Sequence, residues 1–186
     1  MGRNDLLKIW MIILLLSILP YSCTKSYVRP FSYQANQEAV IQYQKALLFK
    51  EQKKYELAIL EFRRYLDLYG DIYYADEALY HMAECLRGIE QFNEALQTYK
   101  SIIKRYKDSS YVPASWYGMG ECYKINNEWK NSVEIFLQVV KKYSQTLWCE
   151  RSIKQIEEIT KMFPESKYFK KTQKKVDKLV KKLKKK

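Results

Sequence analysis

The sequence predicts an all-α fold: an α-solenoid of antiparallel helix pairs, with three full 37-residue repeats, a capping helix and a basic C-terminal helix. Three observations carry this expectation. Aromatic and small residues recur at one step of 37: Tyr69, Tyr106 and Tyr143; Tyr74, Tyr111 and Trp148; Tyr43, Tyr80 and Tyr117; Ala46, Ala83 and Gly120. Self-similarity at such a period marks stacked supersecondary units. Within the units, apolar residues keep helical spacing, as Tyr55, Ile59, Phe62 and Leu66 do at i, i+4, i+7 and i+11. Only 5 Gly and 4 Pro stand among 186 residues, too few for a β-sandwich or a Pro/Gly-rich disordered chain, and the 47% apolar content supplies a core.

The first element, residues 1–22, reads as an address. Met1–Lys8 is polar and weakly basic, Ile9–Leu19 is apolar except for Ser17, and Pro20-Tyr21-Ser22-Cys23 follows. That is the pattern of a secretory signal, and the fourteen residues from Ile9 to Ser22 are too few for a spanning helix of roughly 20. Leu-Pro-Tyr-Ser-Cys resembles the lipobox of bacterial lipoproteins, which implies that Cys23 is acylated and becomes the mature N-terminus. The alternative is an ordinary signal peptide or an uncleaved anchor, with Cys23 incidental. Residues 23–34 then read as a linker.

The solenoid spans 35–164, with repeats at about 39–70, 76–107 and 113–144. Gln52-Lys53-Lys54, Gly88-Ile89-Glu90 and Asn126-Asn127-Glu128 break each unit into two helices. Small Ala46, Ala83 and Gly120 face small Ala58, Ala95 and Ser132, where larger side chains would hold two crossing backbones apart. Pro113 suits a first helical turn. In the fourth unit Glu157 replaces the small residue, so Leu147–Lys161 reads as a capping helix within 147–162, polar on its outer face.

Residues 165–186 form the last element. Eleven Lys against Glu165 and Asp177 give it a net charge of +9. The chain total is +12 and residues 1–22 carry +1, which leaves +2 for the whole body. A nucleic-acid reading of the basic composition therefore fails for the repeats. Val176, Leu179, Val180 and Leu183 make one apolar stripe on this Lys-rich helix. It suits an anionic membrane surface, an acidic partner or a solvated end.

The repeat pattern resembles the tetratricopeptide repeat (TPR). Trp116, Met119, Gly120, Tyr123, Ser132 and Phe136 follow its W-L-G-Y-A-F order; Leu79, Met82, Ala83, Leu86, Ala95 and Tyr99 follow it in the second unit. The first unit has Gln42 and Lys45 where Trp and Leu are usual. An exported repeat chain of this kind looks like the BamD-type outer-membrane assembly lipoproteins, or the YbgF-type periplasmic proteins of the Tol-Pal system. The resemblance implies a non-enzymatic, membrane-anchored scaffold in the outer membrane, facing the periplasm and binding envelope proteins. A secretin pilotin is a further alternative. The expected partners include neither nucleic acid nor a small-molecule substrate, and no cofactor is expected apart from the lipid on Cys23.

No constellation reads as catalytic or metal-binding. His81 is the one His and has no ligand at suitable spacing. Cys85 and Cys122 stand one repeat apart. Neighbouring helices pack 8–10 Å apart, beyond the roughly 7 Å that a disulfide spans, so semi-buried free thiols are expected. The resemblance implies that the first helices line the concave side. The candidate partner-binding groove then comprises Tyr43, Tyr80 and Tyr117, with Glu84 and Glu121, and with Lys50, Arg87 and Lys124. Aromatic rungs flanked by charge suit an extended peptide or a partner helix. The competing reading is that the Tyr ladder packs the next repeat and the charges are i, i+3 helix supports.

Overall fold

A computed structural model describes residues 33–70 and 74–183, with side chains from Gln37 onward. The chain divides into two compact units, 1–36 and 37–186. Of the first, only the backbone that opens helix α1 is described. The signal segment, Cys23 and the linker up to Ser32 lie outside the described residues.

Eight helices follow, with no strand among the described residues: α1 (Tyr33–Glu51), α2 (Tyr55–Tyr69), α3 (Ala75–Gly88), α4 (Phe92–Arg105), α5 (Tyr111–Ile125), α6 (Trp129–Lys142), α7 (Leu147–Met162) and α8 (Lys167–Leu183). From α2 onward each packs on its successor, and hairpins stack through α3 on α5, α5 on α7 and α6 on α8; α1 packs on α2 through Tyr43 against Phe62 and Tyr65. Helix α1 starts inside the expected linker, because no Gly or Pro interrupts the run from Tyr33 to Glu51. None of the described helices is long and apolar enough to cross a membrane.

The turn inside each repeat is built the same way three times. Lys53, Glu90 and Asn127, 37 apart, all have left-handed backbones with φ of 59°, 63° and 60°. The next residue's N–H reaches back five positions: Lys54 to Phe49 (2.9 Å), Gln91 to Leu86 (2.9 Å) and Glu128 to Tyr123 (2.8 Å). This 6→1 closure caps the helix end and leaves no choice of exit angle. Gly88, the glycine nearest such a turn, is not at the left-handed position; its missing side chain makes room for the Tyr55 ring, which a Cβ would meet at 2.8 Å.

The small-residue register does what its spacing predicted. Ala46, Ala83, Ala58, Ala95 and Ser132 are fully buried at the crossings. At the third crossing Ser132 Oγ donates to the Gly120 carbonyl at 2.8 Å, and a Cβ on Gly120 would lie 2.5 Å from the Phe136 ring. The weak start of the first repeat is a coupled set. Lys45 pairs with the buried Glu61 carboxylate at 2.7 Å, and the Gln42 amide donates to the same residue.

The fourth unit departs from expectation. The helix 147–162 is present, but it does not end the stack. Helix α8 packs on α6 and α7, burying Phe169, Thr172 and Val176, with Leu179, Val180 and Leu183 partly covered. Of the stripe Val176, Leu179, Val180 and Leu183, the first is thus buried against the preceding helices and the other three are half-buried. Glu157 did not prevent a second helix. With Phe169 at the other small register it splays the pair, leaving a cleft of about 560 Å³ that Thr160 bridges to Gln173 at 2.8 Å.

Candidate functional site

The first helices α3, α5 and α7 bring their outward registers into one row. Glu84 and Glu121 of this row are each held by a Tyr and a basic residue, and Glu158 by a basic residue. Oε1 accepts from the Tyr one turn earlier: Tyr80 to Glu84 at 3.3 Å and Tyr117 to Glu121 at 3.2 Å. Oε2 accepts from the basic residue of the preceding repeat: Lys50 to Glu84 at 2.6 Å, Arg87 to Glu121 at 3.0 Å and Lys124 to Glu158 at 3.2 Å. The period explains the match. The basic register lies three residues beyond the Glu register, so each pair spans 34 residues. These charges couple neighbouring repeats rather than acting as i, i+3 supports within one helix.

Burial shapes this ladder electrostatically. Burial pushes the Glu84 carboxyl up, yet hydrogen bonds from His81 and Lys50, with their charge, outweigh it and hold the group at about 2. His81 Nδ1 lies 3.0 Å from Glu84 Oε2 and 2.7 Å from Lys50 Nζ, which accounts for the one His as part of the ladder. Burial, followed by the Glu121 charge, raises the Tyr117 phenol to about 12. Cys85 and Cys122 are free and wholly buried, which pushes their thiols up to about 12 and about 11. They are more enclosed than the expected semi-buried thiols.

The Tyr rungs are partly structural. Tyr43 is buried against Tyr65 and stacks on Tyr74 at 5.6 Å, and Tyr80 is buried against Tyr99 and Tyr111. Tyr117 packs on Phe136 and Trp148. An open cleft of about 280 Å³ nonetheless lies over Tyr80, Tyr117 and Trp148, with Glu84, Arg87 and Glu121 also on its wall. It takes in five of the eight groove residues named from sequence. Tyr43, Lys50 and Lys124 fall outside it.

The wall residues not named from sequence include two cations, Arg151 and Lys154. Both are exposed, and among the described residues neither has an ion pair. Arg151 lies over the Trp148 ring at 4.9 Å. Lys154 stands at the Tyr register of the fourth unit, one period after Tyr117, so the same step of 37 would have found it. With the ladder internally neutralised, these two cations beside an aromatic floor are the chemistry left for a partner. Among the described residues no group of His, Cys, Asp and Glu is placed to hold a metal.

Together these features define a helical-repeat solenoid that carries an aromatic cleft on the face of its first helices. The tetratricopeptide repeat family model matches residues 77–109 and 114–146, the second and third hairpins. No curated protein sequence matches the chain. Among solved structures, a MamA double mutant (RS-1) is similar, with a TM-score of 0.57 and 17% identity over 82% of this chain and 78% of that one. MamA 41-end from Desulfovibrio magneticus RS-1 gives a TM-score of 0.53, 17% identity and coverage of 79% and 74%. TPR-like repeats of a putative kinesin light chain from Podospora anserina give 0.50, 10% identity and coverage of 79% and 93%. At these identities the likeness is one of fold: a TPR-type α-solenoid.

Proposed function

We propose that this chain is a lipid-anchored TPR scaffold of the bacterial envelope, and that its groove holds an extended segment of a partner protein. The observation that carries the groove reading is the cleft over Tyr80, Tyr117 and Trp148, with Arg151 and Lys154 on its wall and without an ion pair among the described residues. Aromatic side chains supply contact area at low entropic cost, and uncompensated cations select a carboxylate-bearing segment. The envelope reading is supported by the apolar segment Ile9–Leu19 and by Cys23 after Ser22. Among envelope roles we favour assembly of outer-membrane β-barrel proteins, in the manner of BamD-type lipoproteins. Coordination of Tol-Pal and the cell wall, as for YbgF-type proteins, and service as a secretin pilotin are the rivals.

The test is affinity purification of the intact lipoprotein from detergent-solubilised envelopes, with mass spectrometry, comparing wild type with Arg151→Glu/Lys154→Glu. Barrel-assembly proteins captured by wild type and lost from the double variant support the reading. Undiminished capture by a folded double variant refutes the groove. Wall enzymes in the eluate, or misassembled secretin on deletion, would favour the rivals. Radiolabelled palmitate retained by Cys23→Ser would exclude acylation at Cys23.

A further inference from the structure

The two ends of the repeat stack differ in kind. In repeats two and three, the first-helix positions that face the preceding hairpin are wholly buried: Ala78 and Ser115 at one register, Cys85 and Cys122 at the next. One period earlier stand Ile41 and Leu48, exposed at 64% and 51%. On the second helices, Glu94 reaches back to Arg63 of the preceding hairpin at 2.7 Å, and Tyr168 reaches back to Glu134 at 3.2 Å. The same side of α2 carries Leu57 and Leu68, exposed at 45% and 61%. In repeat two these positions are Glu94 and Arg105; in repeat three, Asn131 and Lys142. The N-terminal hairpin is therefore apolar where its own later copies are polar. A solenoid end left in water calls for the opposite.

We infer that this face is an interface between two copies of the chain, joined first hairpin to first hairpin about a two-fold axis. Charge selects the occupant. Residues 37–70 hold six basic and five acidic side chains, so two such faces meet without repulsion. The far end does not fit the face. Lys167, Lys171 and Lys174 of α8 are exposed at the registers of Lys130, Glu134 and Leu137, which on α6 face the following hairpin. Laying them on Ile41, Leu48, Leu57 and Leu68 would strip three ammonium groups of water. Head-to-tail stacking, which would give open filaments, is thereby disfavoured, and a closed isologous dimer remains. The ten residues from Cys23 to Ser32, including Pro30, are too few to supply a covering hairpin of about 30 residues if processing occurs at Cys23.

Sedimentation equilibrium of the full chain in density-matched detergent tests this, over about 1–100 µM, the range of a modest apolar interface. The variant is Leu57→Glu/Leu68→Arg, which installs residues that repeat two already carries at the same registers. Wild type is expected as a concentration-dependent dimer. The double variant is expected to be helical by circular dichroism, with a dissociation constant raised about a hundredfold or more. Wild type that is monomeric throughout overturns the inference, including where hydrogen exchange shows α1 and α2 covered by the chain's own N-terminal segment. So does a dimer indifferent to the double variant, or one that Lys167→Glu/Lys171→Glu/Lys174→Glu abolishes, since that would be head-to-tail contact.

Discussion

Arg87 Nη1 lies 3.0 Å from Glu121 Oε2, although 34 residues separate them in the chain. The pair ties the second repeat to the third, and Tyr117 holds the other carboxylate oxygen. Both side chains are about three-quarters covered, at 26% and 23% exposure. Arg63 and Glu94 make a comparable inter-repeat pair at 2.7 Å, but more than half exposed.

This contrast predicts unequal costs. Glu121→Gln should destabilise the fold by about 1–3 kcal/mol, because it leaves a guanidinium partly buried without its counter-charge. Glu94→Gln should cost about 0.5 kcal/mol or less. Urea unfolding read by circular dichroism separates the two, and a double-mutant cycle with Arg87→Met isolates the coupling.

Acid should act through Glu84. Its folded carboxyl sits at about 2 against an ordinary 4.5. A depressed acid stabilises the fold fully above its unfolded value and ceases to as pH falls through its folded value. The stability difference between wild type and Glu84→Gln should therefore shrink as the pH falls from about 4.5 to 2. Urea midpoints across that window provide the measurement.

The repeated left-handed turns make an opposite forecast, of gain. Lys53 and Glu90 hold φ near 60° with side chains that strain there. Lys53→Gly and Glu90→Gly should each stabilise by about 0.5–1 kcal/mol, and Asn127→Gly by less, since Asn tolerates this region. Thermal melts that fall for all three would exclude strain at these turns.

Gly120 should tolerate nothing larger. An Ala there directs its Cβ to 2.5 Å from the Phe136 ring at the third helix crossing. Gly120→Ala should lower stability by about 1–3 kcal/mol. Phe136→Leu in the same chain should recover part of the loss, as seen by melting temperature.

Helix α8 should behave as core and not as a tail. Val176 is fully buried, whereas Lys175 is exposed. Val176→Asp should destabilise the protein by about 3 kcal/mol or more, while Lys175→Asp should change stability by about 0.5 kcal/mol or less. Equal effects in chemical denaturation would mean that α8 is detachable.

Much of this molecule is written along the chain. A step of 37 and helical spacing within it gave the hairpins, the crossings at Ala46, Ala83 and Gly120, and the row of Tyr, Glu and basic groups. Those signals are local or periodic, and backbone geometry converts them directly into faces. Three things were decided by stacking. The destination of the charges was one: Lys50 and Glu84 share a register pattern in sequence, but only the offset between neighbouring hairpins turns an expected support within one helix into a bond between repeats. Arg151 and Lys154 became groove residues because α7 lies beside α5, with Trp148 beneath the guanidinium. The last helix was the third. Gln173 stands where Phe62, Tyr99 and Phe136 mark the motif, and Glu157 and Phe169 fill both small positions, so no fourth repeat was legible. The stripe of Val176, Leu179, Val180 and Leu183 is readable in sequence as apolar, but whether it meets a membrane or a neighbouring helix depends on what lies opposite. Periodicity records which face is apolar; the partner of that face is a property of the packed whole.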